Sequence, residues 1–79
     1  MKRARNKAKI ILLRHLAANG WKDTKECAVA IGWTVSSTGT RLLHFWQWGL
    51  LERRKVPRME YRLTEKGAER LAWLQRKIR

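Results

Sequence analysis

The stretch that most constrains this chain runs from Gly32 to Leu51, G-W-T-V-S-S-T-G-T-R-L-L-H-F-W-Q-W-G-L-L, and leads straight into Glu52-Arg53-Arg54-Lys55. Thr34 is a good N-cap residue and Gly49 a natural stop, so a helix is expected between them. Thr38, Leu42 and Phe45 recur at helical spacing and mark its inner face. The opposite face carries Ser36, Thr40, Leu43, His44 and Gln47, with Ser37 and Arg41 on one flank. A merely solvated helix face would usually be rich in Glu and Lys. This one holds a single formal charge, Arg41, and is followed by a basic segment that reads as a hairpin.

At 79 residues the chain has room for one domain with a modest core, and a separate ligand-sensing domain is not expected within it. Its formal charge is +13, from 19 Lys and Arg against 6 acids. Such an excess favours a polyanionic partner, most simply nucleic acid. The charge is segregated. Lys2, Arg3, Arg5, Lys7 and Lys9 occur without an acid, Arg53, Arg54, Lys55, Arg58 and Arg62 are opposed by Glu60, and Arg76, Lys77 and Arg79 close the sequence. The rest is nearly balanced, so the basic character belongs to an arm, a hairpin and a tail. Solubility alone would not need that distribution.

One cysteine, Cys27, excludes an internal disulfide, and no second Cys or paired His supplies zinc-ligand spacing. No metal site and no cofactor are expected, and the thiol points to a reducing, cytoplasmic setting among nucleoid-associated proteins. The apolar run Ile10 to Leu13 is too short for a signal-peptide core or a membrane span. No catalytic residues are assigned. His15 and His44 lack carboxylates at useful spacing, and no phosphate-cradling glycine loop is present.

Along the chain, residues 1–7 read as a basic flexible arm and 8–79 as one domain. A first helix is expected from about Asn6 to Asn19, stopped by Asn19-Gly20, with Ile10, Leu13 and Ala17 inward. Ile11, Leu12 and Leu16 lie off that stripe, so the helix is apolar nearly all round. Asp23-x-x-Glu26 is a capping box opening a second helix that ends at Gly32, with Cys27, Ala28 and Ile31 inside. Strands are expected over Leu50–Arg54 and Glu60–Leu63, joined around Val56-Pro57-Arg58, and Thr64 caps a last helix. Its inner stripe reads Ala68, Leu71, Leu74 or Gln75, and Ile78. The fold class is mostly α with a small β-hairpin.

With these elements in place, the chain resembles the winged helix-turn-helix family, small regulators of the MarR, ArsR and PadR type, over roughly residues 8 to 75. The quotable pieces are C-A-V-A-I-G at 27–32, T-V-S-S-T-G-T-R-L-L at 34–43, G-L-L-E-R-R at 49–54 and Y-R-L-T-E-K-G at 61–67. The resemblance implies a recognition helix over about 34–48, a wing over about 50–63 and a last helix over about 64–78. It implies double-stranded DNA as partner and a transcriptional regulator, repressing by promoter occupancy. Relatives of this fold also bind RNA or proteins. An interaction module that targets a nucleic-acid enzyme and an architectural or RNA-binding protein are therefore the alternatives.

On that reading Val35, Ser36, Ser37, Thr40, Arg41, His44 and Gln47 meet the major groove. Arg41 suits a bidentate guanine contact worth about 1–3 kcal/mol of discrimination, and Val35 a thymine methyl. Arg53, Arg54, Lys55 and Arg58 of the wing, and Lys2, Arg3 and Arg5 of the arm, would bind phosphates or a narrow minor groove. Neutralising about six to eight phosphates implies a log-log salt slope of roughly −5 to −7. Gly39 costs about 1 kcal/mol in mid-helix relative to Ala. Either a close approach to backbone or to Trp46, or a locally weak helix, accounts for it.

Of five tryptophans, Trp33 and at least one of Trp46 and Trp48 are expected in the core. Trp73 falls on the outward side of the last helix. Ile11, Leu12, Leu16 and Trp73 together suggest a homodimer interface that would read a palindromic site. Trp48 or Trp73 is the place for a protein partner.

Overall fold

The structure, a computed structural model, describes residues 2–78, with side chains described over 7–77. Its elements are α1 (Lys2–Asn19), β1 (Lys22–Asp23), α2 (Thr24–Ile31), α3 (Val35–Gln47), β2 (Leu51–Lys55), β3 (Met59–Leu63) and α4 (Glu65–Ile78). The helical order and the hairpin are those expected from the sequence. The short β1 is an addition, pairing antiparallel with β3 to give a sheet ordered β1-β3-β2.

Helix α1 starts at Lys2, where the sequence suggested an arm. Lys, Arg and Ala are all good helix formers, so nothing in this stretch breaks the helix. It stops where Gly20 takes a φ of 72° and its N–H bonds the Leu16 carbonyl. The inner face is Leu12, Leu13 and Leu16, all essentially inaccessible, whereas Ala17 is exposed and Ile10 only half-buried. The expected stripe was therefore rotated. Packing against both α2 and α4 selects the bulkier leucines over Ala17, because each buries more apolar surface.

The α2 capping box forms as the sequence implies. The Glu26 N–H donates to Asp23 Oδ1 at 2.8 Å and the Asp23 N–H to Glu26 Oε1 at 3.1 Å. Gly32 ends the helix in the left-handed region. Thr34 caps α3 by accepting from the Ser37 N–H at 3.1 Å, and Thr38, Leu42 and Phe45 point into the core. That core joins Leu12, Leu13 and Leu16 to Cys27, Leu42, Phe45, Leu50, Leu51, Tyr61, Leu71 and Leu74.

The start of α4 is pinned to the end of α3. Thr64 donates its N–H to the Leu50 carbonyl and its hydroxyl to the Gly49 carbonyl, while Oγ1 accepts from the Gly67 N–H. Gly67 lies so close to this turn that a Cβ would collide with the Leu50 oxygen and the Leu63 side chain. The inner stripe of α4 is consequently Gly67, Leu71 and Leu74. Ala68 and Gln75 face outward, and the Ile78 side chain lies outside the described residues. At Gly39 the nearest atom to such a Cβ would be Thr24 Cγ2 at 3.5 Å, an ordinary contact. Neither Trp46 nor close backbone explains that glycine.

Candidate nucleic-acid interface

With Thr38, Leu42 and Phe45 committed to the core, the geometry of α3 turns Ser36, Ser37, Thr40, Leu43, His44 and Gln47 outward as exposed residues. Val35 is 53 % exposed at its first turn. The Thr40 hydroxyl donates to the Ser36 carbonyl at 3.1 Å, which leaves its lone pairs to accept. Arg41 is half-buried and leans toward Trp33, its Cζ 6.0 Å from the ring centroid. Together with Gly32, Thr34 and Ser37 these two line a cleft of about 430 Å³ at the start of α3. The cleft joins the Trp33 indole to hydroxyls and a guanidinium, contains no acid, and is backed by the positive end of the helix dipole.

The hairpin divides its cations between two faces. In the β2–β3 register Glu52 opposes Arg62 and Arg54 opposes Glu60. Arg62 pairs with Glu52, and Arg54 Nε donates to Glu60 Oε1 at 2.8 Å. On the next strand Asp23 lies opposite Glu60, a like-charge neighbour that would be unfavourable alone. Arg58 relieves it by donating to Asp23 Oδ2 at 3.4 Å. The Glu26 backbone N–H, more than Arg58, holds the Asp23 carboxyl below the usual carboxylate range against the opposing effect of its burial. Arg54 and Arg58, expected as phosphate contacts, thus each already hold a carboxylate. Lys55, at the exposed tip, has no ion-pair partner among the described residues.

Arg53 belongs to the other face, with Leu51 and Tyr61, and is half-buried. Its Cζ stands 3.4 Å from the centroid of the Trp46 ring. Trp21, which the sequence reading passed over, carries both Arg54 and Arg62, at 4.4 and 4.7 Å. Trp73 similarly carries Arg70 and Lys77, at 4.4 and 5.1 Å. With few acids in the chain, indole faces serve as the counter-surfaces for its cations. The available signal for the ion pairs was the charge alternation Glu52-x-Arg54 against Glu60-x-Arg62, which places opposite charges across an antiparallel pair. Nothing comparable marked Trp21.

Several expected placements change. Trp33 is half-buried outside the core cluster, Trp46 packs partly against it, and Trp48 is 52 % exposed with its ring stacked on His44. Leu12 and Leu16 are core residues, at 0 % and 1 % exposure, so they cannot form a dimer surface. Ile11 and Trp73 stay accessible, at 41 % and 39 %. The side chains of Lys2, Arg3 and Arg5 lie outside the described residues. Cys27 is buried, and burial foremost, then the charges of Asp23 and Glu26, pushes its thiol up to about 11. No helix among the described residues is long and apolar enough to cross a membrane.

No protein-family model and no curated protein matches the chain significantly. Solved structures do. A MarR family protein from Bacillus stearothermophilus superposes with a TM-score of 0.77 at 21 % identity, over 89 % of this chain and 51 % of that one. NadR, solved in complex with 4-hydroxyphenylacetate, gives 0.75 at 25 % identity over 90 % and 53 %. The homodimeric winged helix-turn-helix DNA-binding domain of Mb0332 from Mycobacterium bovis, a possible ArsR-family regulator, gives 0.74 at 28 % identity over 94 % and 69 %. The chain spans about half the length of the first two. With four helices, a small antiparallel sheet and these superpositions, this chain has the winged helix-turn-helix fold of MarR-family and ArsR-family proteins.

Proposed function

We propose that this domain binds double-stranded DNA in a sequence-specific manner as a small transcriptional regulator, and that it represses by occupying promoters. The observation that carries the reading is α3, whose outward face offers hydroxyls, an amide and an imidazole, with the half-buried Arg41 on one flank and no acid. Those groups match base edges and phosphates in a major groove. Val35, Ser36, Ser37, Thr40, Arg41, His44 and Gln47 are the proposed contacts, with Lys55 at the wing tip and Lys2, Arg3 and Arg5 adding phosphate attraction. The MarR and ArsR neighbours support the same reading, and the net charge of +13 supplies long-range attraction.

Two copies are proposed to act together, a proposal supported by the homodimeric state of the Mb0332 domain, with Ile11 and Trp73 as the accessible apolar residues for that contact. The test is selection from a random duplex library at near-physiological salt. Enrichment of an inverted repeat with half-sites about one helical turn apart is expected. Retention without enrichment would replace sequence reading with backbone binding, and no retention would reject the DNA reading.

A further inference from the structure

We infer that Arg53 is a positioning residue: seated on Trp46, it sets the angle of the wing against the recognition helix and is not itself a phosphate contact. The consequence for DNA rests on the function proposed above, whereas the seat itself does not.

Four observations carry it. The 3.4 Å approach of Arg53 to Trp46 is the shortest of the cation–ring contacts among the described residues. Trp46 occupies the last turn of α3 and packs on the core, so its ring is fixed to the recognition helix. Arg53 is half-buried, whereas Arg54, Lys55 and Arg58 are exposed. Finally, no acid among the described residues pairs with Arg53, which leaves the indole as the surface that holds it.

The strand that meets α3 is β2. Leu51, buried at its root, fixes one point of the wing and the Arg53 stack fixes a second further out. Two points define a direction, and Lys55 lies beyond both at the tip. A planar guanidinium can lie flat on an indole in a way that an ammonium cannot, so lysine is not an equivalent occupant. With one face on the indole and its side chain half-buried, Arg53 is held back from the exposed rim on which Lys55 stands.

The test measures binding of the purified protein to a labelled mixed-sequence duplex between about 50 and about 200 mM salt. Lys55→Gln is expected to flatten the log-log salt slope by about 0.9, the signature of one lost phosphate contact. Arg53→Gln is expected to weaken binding about tenfold through the lost stack with the slope unchanged. Arg53→Lys should fail to restore it. A slope reduced by about 0.9 in Arg53→Gln, together with rescue by Arg53→Lys, would overturn the inference.

Urea unfolding of Arg53→Gln, Trp46→Phe, Trp46→Leu and the corresponding double variants examines the seat without DNA. Coupled effects, in which the second substitution adds little to the first, support the seat. Additive effects overturn it. If the wild-type protein binds no duplex, the proposed function fails while the unfolding cycle still decides the seat.

Discussion

Two glycines inside helices, Gly39 and Gly67, should respond in opposite directions to the same substitution. At Gly39 an added Cβ meets only Thr24 Cγ2 at 3.5 Å, so Gly39→Ala keeps the helix-propensity gain of about 1 kcal/mol. In a domain of this size that raises Tm by about 4–8 °C. At Gly67 the same gain is opposed by the collision with the Leu50 carbonyl and Leu63. Relief requires lifting α4 from the α3–β2 turn. That sacrifices the bonds from the Thr64 N–H to the Leu50 carbonyl and from the Thr64 hydroxyl to the Gly49 carbonyl, about 1 kcal/mol each. Overpacking adds about 1–3 kcal/mol. The net loss for Gly67→Ala is about 2–4 kcal/mol once the propensity gain is included. Thermal and urea unfolding followed by far-UV circular dichroism measures both. A Gly67→Ala protein as stable as wild type, or a destabilised Gly39→Ala, would refute the packing argument. Gly39 faces α2, so its replacement should leave duplex affinity unchanged.

Arg41→Ala should lower discrimination at one base position by about 1–3 kcal/mol, read by competition between the selected duplex and single-base variants of it. Asp23→Ala removes a capping partner and leaves Arg58 unpaired, at a cost of about 1–2 kcal/mol in urea unfolding. Because the folded carboxyl of Asp23 titrates below its unfolded value, its contribution is complete above the unfolded carboxylate range. That contribution disappears as pH falls through the lowered folded value, so Asp23→Asn should flatten the acid limb of the stability profile. Cys27, buried with its thiol raised to about 11, should resist iodoacetamide at neutral pH and react once urea unfolds the chain. Sedimentation should show a dimer that Trp73→Glu disrupts, and a wild-type monomer at micromolar concentration with and without DNA would reject the dimer.

What was legible in the sequence was local punctuation. Asp23 with Glu26, Gly32, Thr34 and Gly49, and Thr64 in its cap to the Gly67 N–H, each act within a few residues, and the helices they delimit fall where those residues predict. Rotation about a helix axis was less legible, because it depends on neighbours distant in sequence. Alpha-helix α1 touches α2, β3 and α4, so several faces compete for burial and Leu12 and Leu16 outcompete Ala17. On α4 the need for close approach at Gly67 displaced Ala68 from the inner stripe. The candidate site divides the same way. The outward face of α3 follows from Thr38, Leu42 and Phe45 alone. The fate of each wing arginine, by contrast, depends on strand register and on Trp21 and Trp46, which a count of charges does not see.

The sheet order β1-β3-β2 leaves β2 as an edge strand. Unpaired backbone groups on such an edge are a template for strand-to-strand association, which natural proteins suppress with charged side chains and proline. Here the edge reads Leu51-Glu52-Arg53-Arg54-Lys55, and Pro57 follows in the turn. Two such edges brought together would juxtapose several cations from each copy. The basic character of the hairpin thus protects the chain from its own aggregation, so neutralising Arg53, Arg54 and Lys55 together would expose an adhesive edge as well as remove charge.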